Sequence, residues 1–222
     1  MLAPALASQA AAGTIEASSL GLRTTHFDIT YGQQVVTESF QQSQVGGFGV
    51  TDFLDGRAPV GNIVDAAAAF DLRGVDAGTP LWLRVTVDSV WGYMGHADLV
   101  IDGYGSGGTV SLDDFHAPPV PPVGFQQVVT VAMGDYSAAP LVFGFDLAAF
   151  GESLRGAGFD FAGLHFSADG GAHAAWVTIK EAVLLSGPYA VPEPSSLLLL
   201  ATAGAALAMG RARRRIAGMS SW

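Results

Sequence analysis

Apolar and polar side chains alternate along most of this chain. In "PLWLRVTVDSV", Leu81, Leu83, Val85 and Val87 fall on one side and Trp82, Arg84, Thr86 and Asp88 on the other. The segment "PLVFGFDL" repeats the pattern, with Leu141, Phe143, Phe145 and Leu147 together. A period of two belongs to a β-strand with one buried and one wet face. Similar runs predict strands over Thr24–Tyr31, Gln34–Phe40, Phe48–Leu54, Ala67–Leu72, Ala97–Tyr104, Thr109–Phe115, Gln127–Met133, Phe161–Ser167 and Ala175–Leu185. Gly, Pro and Asp punctuate the junctions, as in "DGRAPVG", "RGVDAGTP" and "SADGGA". Many short strands with such turns predict an all-β domain over residues 14–187, an antiparallel β-sandwich or jelly roll. One short helix is expected, over Asp146–Gly156. The cluster "APPVPP" (Ala117–Pro122) is expected as a stiff loop, because proline cannot donate to a central ladder.

The pattern changes at both ends. The opening "MLAPALASQAAAG" (residues 1–13) holds small-residue cleavage patterns at Ala5-Leu6-Ala7, Ser8-Gln9-Ala10 and Ala10-Ala11-Ala12. It lacks the basic start and apolar centre of a secretory signal. We expect the remnant of a truncated signal peptide, with an in-frame upstream start; a plain Ala-rich terminus is the competing account. Residues 188–222 form a different tail. Pro192 and Pro194 bar a helix before them, Leu197–Gly210 is uncharged, and Arg211, Arg213, Arg214 and Arg215 follow. At about 1.5 Å per residue, 197–210 makes a helix shorter than the ~30 Å hydrocarbon core. Arginines that snorkel lengthen the effective span, so a single short transmembrane helix is expected. The positive-inside rule puts those arginines in the cytoplasm and the β domain outside.

Charge sharpens the division. Residues 1–190 carry 19 acidic and 6 basic side chains, a balance of −13, while residues 191–222 carry one acid and four arginines, a balance of +3. An acidic body repels phosphates, which argues against nucleic acid as a partner. The chain has no cysteine, which excludes disulfides, thiol catalysis and Cys-based zinc sites.

Candidate chemistry is sparse. Gly103, Gly105 and Gly108 spell G-x-G-x-x-G, but the following "TVSLDDF" is strand-like where a dinucleotide site needs a helix, so a hairpin turn is expected. The histidines (His26, His96, His116, His165, His173) show no helical zinc spacing, and no G-x-S-x-G elbow occurs. His96 with Asp98, and Asp113-Asp114 with His116, are the densest polar groupings. Solvated strand ends explain them; metal binding or acid–base work is the sharper alternative. Turn chemistry likewise accounts for Asp102, Asp113 and Asp114, with a structural Ca²⁺ as the competing use and no other cofactor expected. Trp82, Trp91, Tyr93 and Tyr104 lie on or near neighbouring strands. They either pack under loops or offer faces on which sugar rings stack.

The tail carries the one specific signal. "VPEPSS" with Val191, Pro192, Glu193 and Pro194, then the apolar 197–210, then the arginine cluster, resembles a PEP-CTERM sorting signal. The chain runs seven residues past the arginines, "IAGMSSW", where such tails usually stop. The resemblance implies export in a Gram-negative, exopolysaccharide-producing bacterium and recognition by exosortase, a membrane processing enzyme. It implies an inner-membrane intermediate with a cytoplasmic C-terminus, then delivery to the cell surface or matrix. The expectation for the whole is a non-enzymatic exported protein; the alternatives are a secreted carbohydrate-binding module or a carbohydrate-active enzyme.

Overall fold

The computed structural model describes residues 13–30, 33–43, 46–54, 61–116, 124–171 and 173–187. The chain divides into units 1–189 and 190–222, and every described residue belongs to the first. The expected transmembrane segment and the sorting residues lie outside the described residues, as do 1–12 and the proline cluster. Among the described residues no helix is long and apolar enough to cross a membrane.

The first half of the unit contributes β1 (Gly13–Ile15), β2 (Ala17–Thr30), β3 (Gln33–Ser43), β4 (Phe48–Leu54), β5 (Gly61–Asp71), β6 (Leu81–Gly92) and β7 (His96–Ser106). The second contributes β8 (Phe125–Ala132), β9 (Gly134–Asp135), β10 (Leu141–Asp146), helix α1 (Ala148–Gly156), β11 (Phe161–Asp169) and β12 (Ala175–Ser186). All strand pairs are antiparallel. The class is all-β, as the alternation predicts.

The expected pair of sheets is instead one continuous sheet, in the order β10-β6-β12-β4-β5-β11-β7-β8. Its turning point is β5. One edge of β5 pairs with β2 along its length. The other edge is shared: Gly61–Val64 pair with β4, and Ala66–Asp71 pair with β11. The sheet therefore forks at Asp65. One arm runs through β4 to β12, β6 and β10, the other through β11 to β7 and β8.

The two arms close over one core. Leu83, Val85 and Val87 of β6 and Val177 and Ile179 of β12 join Leu99 and Ile101 of β7 and Leu164 and Phe166 of β11 in a single buried cluster. Leu83, Val85 and Val87 are positions predicted to face inward, the other strands follow the same alternation, and burying these side chains drives the curl. Helix α1 spans the gap between the arms. Its Phe150 ring lies 5.6 Å from that of Phe125 on β8, and Gly151 lies so near Leu81 on β6 that an added Cβ would stand 2.7 Å from it.

Two sequence expectations are corrected. Thr109–Phe115 is not a strand; Leu112–Phe115 forms a 3-10 turn. The Asp114 carboxylate accepts the Ser111 backbone N–H at 2.7 Å and the Ser111 hydroxyl at 2.9 Å, which closes a turn where a strand would need a ladder. The glycines are not a hairpin either. Gly103 and Gly105 lie inside β7, and Gly108 follows it with φ 94°. A Cβ on Gly103 would meet the Phe150 ring at 2.7 Å, and one on Gly105 the Phe159 ring at 2.5 Å. These glycines are seats for aromatic rings, which periodicity does not reveal.

At the fork, Asp65 is only 2% exposed. Arg23, its register partner on β2, donates to its carboxylate through both Nε (3.2 Å) and Nη2. Removing one member of such a pair leaves an uncompensated buried charge. Arg23→Ala is expected to cost about 3–5 kcal/mol in urea unfolding of the full-length protein followed by tryptophan fluorescence. The double variant Arg23→Met with Asp65→Leu is expected to recover most of that loss.

Candidate functional site

Strand β12 lies between β6 and β4, and this order assembles a surface cluster. Trp176 stands directly opposite Trp91 on β6 and Thr51 on β4, with Phe53 two residues on along the same face. Their neighbours Val90, Val177 and Val50 are buried on the inner face, so alternation turns the aromatics outward. Ring centroids are 5.5 Å apart for Trp91–Trp176, 5.8 Å for Phe53–Trp91 and 6.0 Å for Phe53–Trp176. Trp176 remains 38% exposed and Phe53 37%. Beside the end of β6, Tyr93 is exposed and stacks on His173 at 4.9 Å. Cross-strand aromatic pairs of this kind stabilise a sheet by roughly 0.2–1 kcal/mol each.

The residues foreseen for sugar stacking are only partly brought together. Trp91 joins the cluster and Tyr93 lies near it. Trp82, also on β6, is half-buried opposite Asp146 and Leu185, towards the far end of the strand. Tyr104 is buried: its ring covers Gly163, where a Cβ would stand 2.4 Å away. Burial, reinforced by Asp114, pushes its hydroxyl well above the usual phenol range. Tyr104 therefore cannot stack on a ligand. Phe53 and Trp176 were missed, although their outward positions in the alternation were a usable signal.

A second grouping crosses the outer face of the β11 arm. Glu38 on β3, Arg23 on β2, Asp65 on β5, His165 on β11, Asp102 on β7 and Gln126 on β8 form a row in which acid and base alternate before ending in an amide. Arg23 lies 3.7 Å from Glu38, and His165 places Nε2 4.0 Å from Asp65 and Nδ1 3.7 Å from Asp102. Gln126 donates to Asp102 at 2.8 Å. Phe115 of the 3-10 turn caps the row, edge-on to His165 at 5.5 Å and 5.2 Å from the Arg23 guanidinium carbon. His116 Nε2 lies 3.2 Å from Glu38. The row joins strands and fastens the turn.

The acidic groupings foreseen for metal do not assemble one. Asp102 faces His165 and Gln126, Asp114 caps the turn, and Asp113 is exposed on that turn. His96 is exposed at the start of β7, and Asp98, two residues on, pairs in register with Thr130 and Asp169. Among the described residues no group of three or more His, Cys, Asp or Glu is placed to hold a metal ion.

Against known proteins, residues 190–215 match the family model described as the PEP-CTERM protein-sorting motif. No curated protein matches the chain. The chain thus carries a sorting signal of the exosortase system directly after its β domain, whose last strand ends at Ser186.

The polar row generates a pH prediction. His165 beside Asp102 holds that carboxyl below its ordinary range, burial opposes the shift, and Gln126 assists it. A depressed carboxyl contributes stability that is complete above its unfolded value of about 3.9 and is lost as pH falls through the lower folded value. Asp102→Asn is therefore expected to lower the urea midpoint at pH 7. The gap from the wild type should close below about pH 4.

Proposed function

We propose that this protein is an exported, non-enzymatic component of the cell surface or extracellular matrix, a curled-sheet β domain delivered by its C-terminal tail. The observation that supports this is the sorting motif at residues 190–215. In this reading the apolar 197–210 segment is a transient anchor in the inner membrane. Arg211, Arg213, Arg214 and Arg215 hold its end in the cytoplasm. Pro192 and Pro194 keep the chain extended just outside the membrane, where a processing enzyme engages it. The segment is rich in Ala and Gly and short for a lasting anchor, which suits release rather than retention. Exopolysaccharide is the surface partner that the sorting route suits. The non-enzymatic part of the reading draws on the polar row, whose side chains are engaged with one another.

Cleavage near Pro192–Ser196 is the expected fate of the tail. Intact-mass spectrometry of protein recovered from cells with an active exosortase should show a C-terminus at or before this segment. Recovery through Trp222 would count against processing. Pro192→Ala with Pro194→Ala should leave unprocessed protein in the membrane, and glutamines at the four arginine positions should impair retention or orientation.

The exposed rings of Phe53 and Trp176, stacked against Trp91, favour a second reading, a carbohydrate-binding module. A glycan array with the exported protein distinguishes the two. Saturable binding that falls at least tenfold in Trp176→Ala would establish the module, and hydrolysis of an arrayed glycan would instead reveal a carbohydrate-active enzyme. No retention of any glycan would leave the structural role.

A further inference from the structure

Among the described residues, the hairpin of β2 and β3 runs past the strand that supports it: β2 pairs with β5 as far as Phe27, and Asp28, Ile29 and Thr30 pair with β3. Among the described residues β3 has no neighbour on its outer edge. Its described side chains from Gln34 to Ser39 are all exposed, and alternation sends them to both faces. Ile29, Val35 and Val36 are 43%, 41% and 53% exposed. A two-stranded ribbon wet on both faces is marginal in water, and a further strand is what stabilises it.

Edges normally carry devices that prevent pairing, such as lysine, proline or an unpaired charge. Strand β3, "QQVVTESFQQS", has no lysine and no proline, and Glu38 is its one charged residue. That carboxylate is already held within its own chain, 3.2 Å from His116 and 3.7 Å from Arg23. Among the described residues the edge is thus left open along its length.

We infer that β3 is the surface on which a second copy of this chain pairs, edge to edge and antiparallel, with Val36 at the two-fold axis. The chemistry selects the occupant. Unpaired backbone N–H and C=O groups along an extended edge are satisfied by another extended strand, and an antiparallel edge is its own complement about a two-fold axis. Centring on Val36 places Val36 against its copy and Glu38 opposite Gln34, an amide that donates to the carboxylate. Centring on Glu38 instead would oppose two carboxylates. Two hairpins joined this way make one four-stranded antiparallel ribbon and cover Val35 and Val36 of both copies. The pairing uses both edges and closes at a dimer.

The absence of cysteine makes the test direct, since any introduced thiol is unique. Opposed Cα atoms in an antiparallel pair are about 4.5–5.5 Å apart, within disulfide reach. In the full-length protein in detergent, Val36→Cys should oxidise to a covalent dimer. Val35→Cys and the exposed control Ser137→Cys should not. Gln34→Cys mixed with Glu38→Cys should cross-link, while each alone does so weakly. In sedimentation equilibrium the wild type should dimerise and Val36→Lys should weaken the dimer at least tenfold with its tryptophan fluorescence unchanged. A wild type that stays monomeric, or cross-linking as strong at Ser137 as at Val36, would overturn the proposal. The second outcome would also identify association through the apolar tail.

Discussion

A single buried ion pair sits where the two arms of the sheet part. Asp65 lies between the β5 residues that bond β4 and those that bond β11. Neither arm completes the ladder there, and the backbone must diverge. Arg23 meets the Asp65 carboxylate from β2, the strand that runs unbroken along the other edge of β5. The pair thus ties the undivided side of the sheet to its point of division. A buried pair is seldom worth more than a well-packed apolar substitute, but it tolerates no shift in register. Arg23 placed against a different β5 residue would take both guanidinium hydrogen bonds away from the carboxylate. We read the pair as fixing the register of β2 on β5 more than as adding stability.

From that point the two faces have different work. The inner faces of both arms share one apolar core, closed by α1. The outer face of the β11 arm holds the polar row, with Phe115 over its Arg23 and His165; the outer face of the β12 arm holds the aromatic cluster. Small residues make this possible. Ala67 and Ala69 leave room on β5 for Val110 and Phe115, while Gly103, Gly105 and Gly163 each seat an aromatic ring that a Cβ would displace. The 29 glycines of this chain are therefore partly packing residues and not turn formers alone.

Function and fold are written in separate parts of the chain. The sorting motif occupies residues 190–215 and depends on local order: prolines, then apolar residues, then arginines. The β domain has no local motif of comparable specificity. What its described residues offer is surface: an unpaired strand edge, three neighbouring aromatic rings and a row of paired polar side chains.

The sequence by itself determined the strand class, the inward set Leu81, Leu83, Val85 and Val87, the short helix and the sorting tail, because each depends on near neighbours. Alternation with a period of two, helix length and the order of the tail are all properties of adjacent residues. Only the tertiary structure decided what distant residues share. Trp91, Trp176 and Phe53 meet because β12 inserts between β6 and β4, and Asp65, His165 and Asp102 align because β5, β11 and β7 are neighbours. Nothing local distinguishes Tyr104, which is buried, from Tyr93, which is exposed. The glycines of β7 read as a turn because the rings that rest on two of them, Phe150 and Phe159, lie more than forty residues further along the chain. Strand order sets these contacts, and it follows from how one curled sheet can bury a single apolar face.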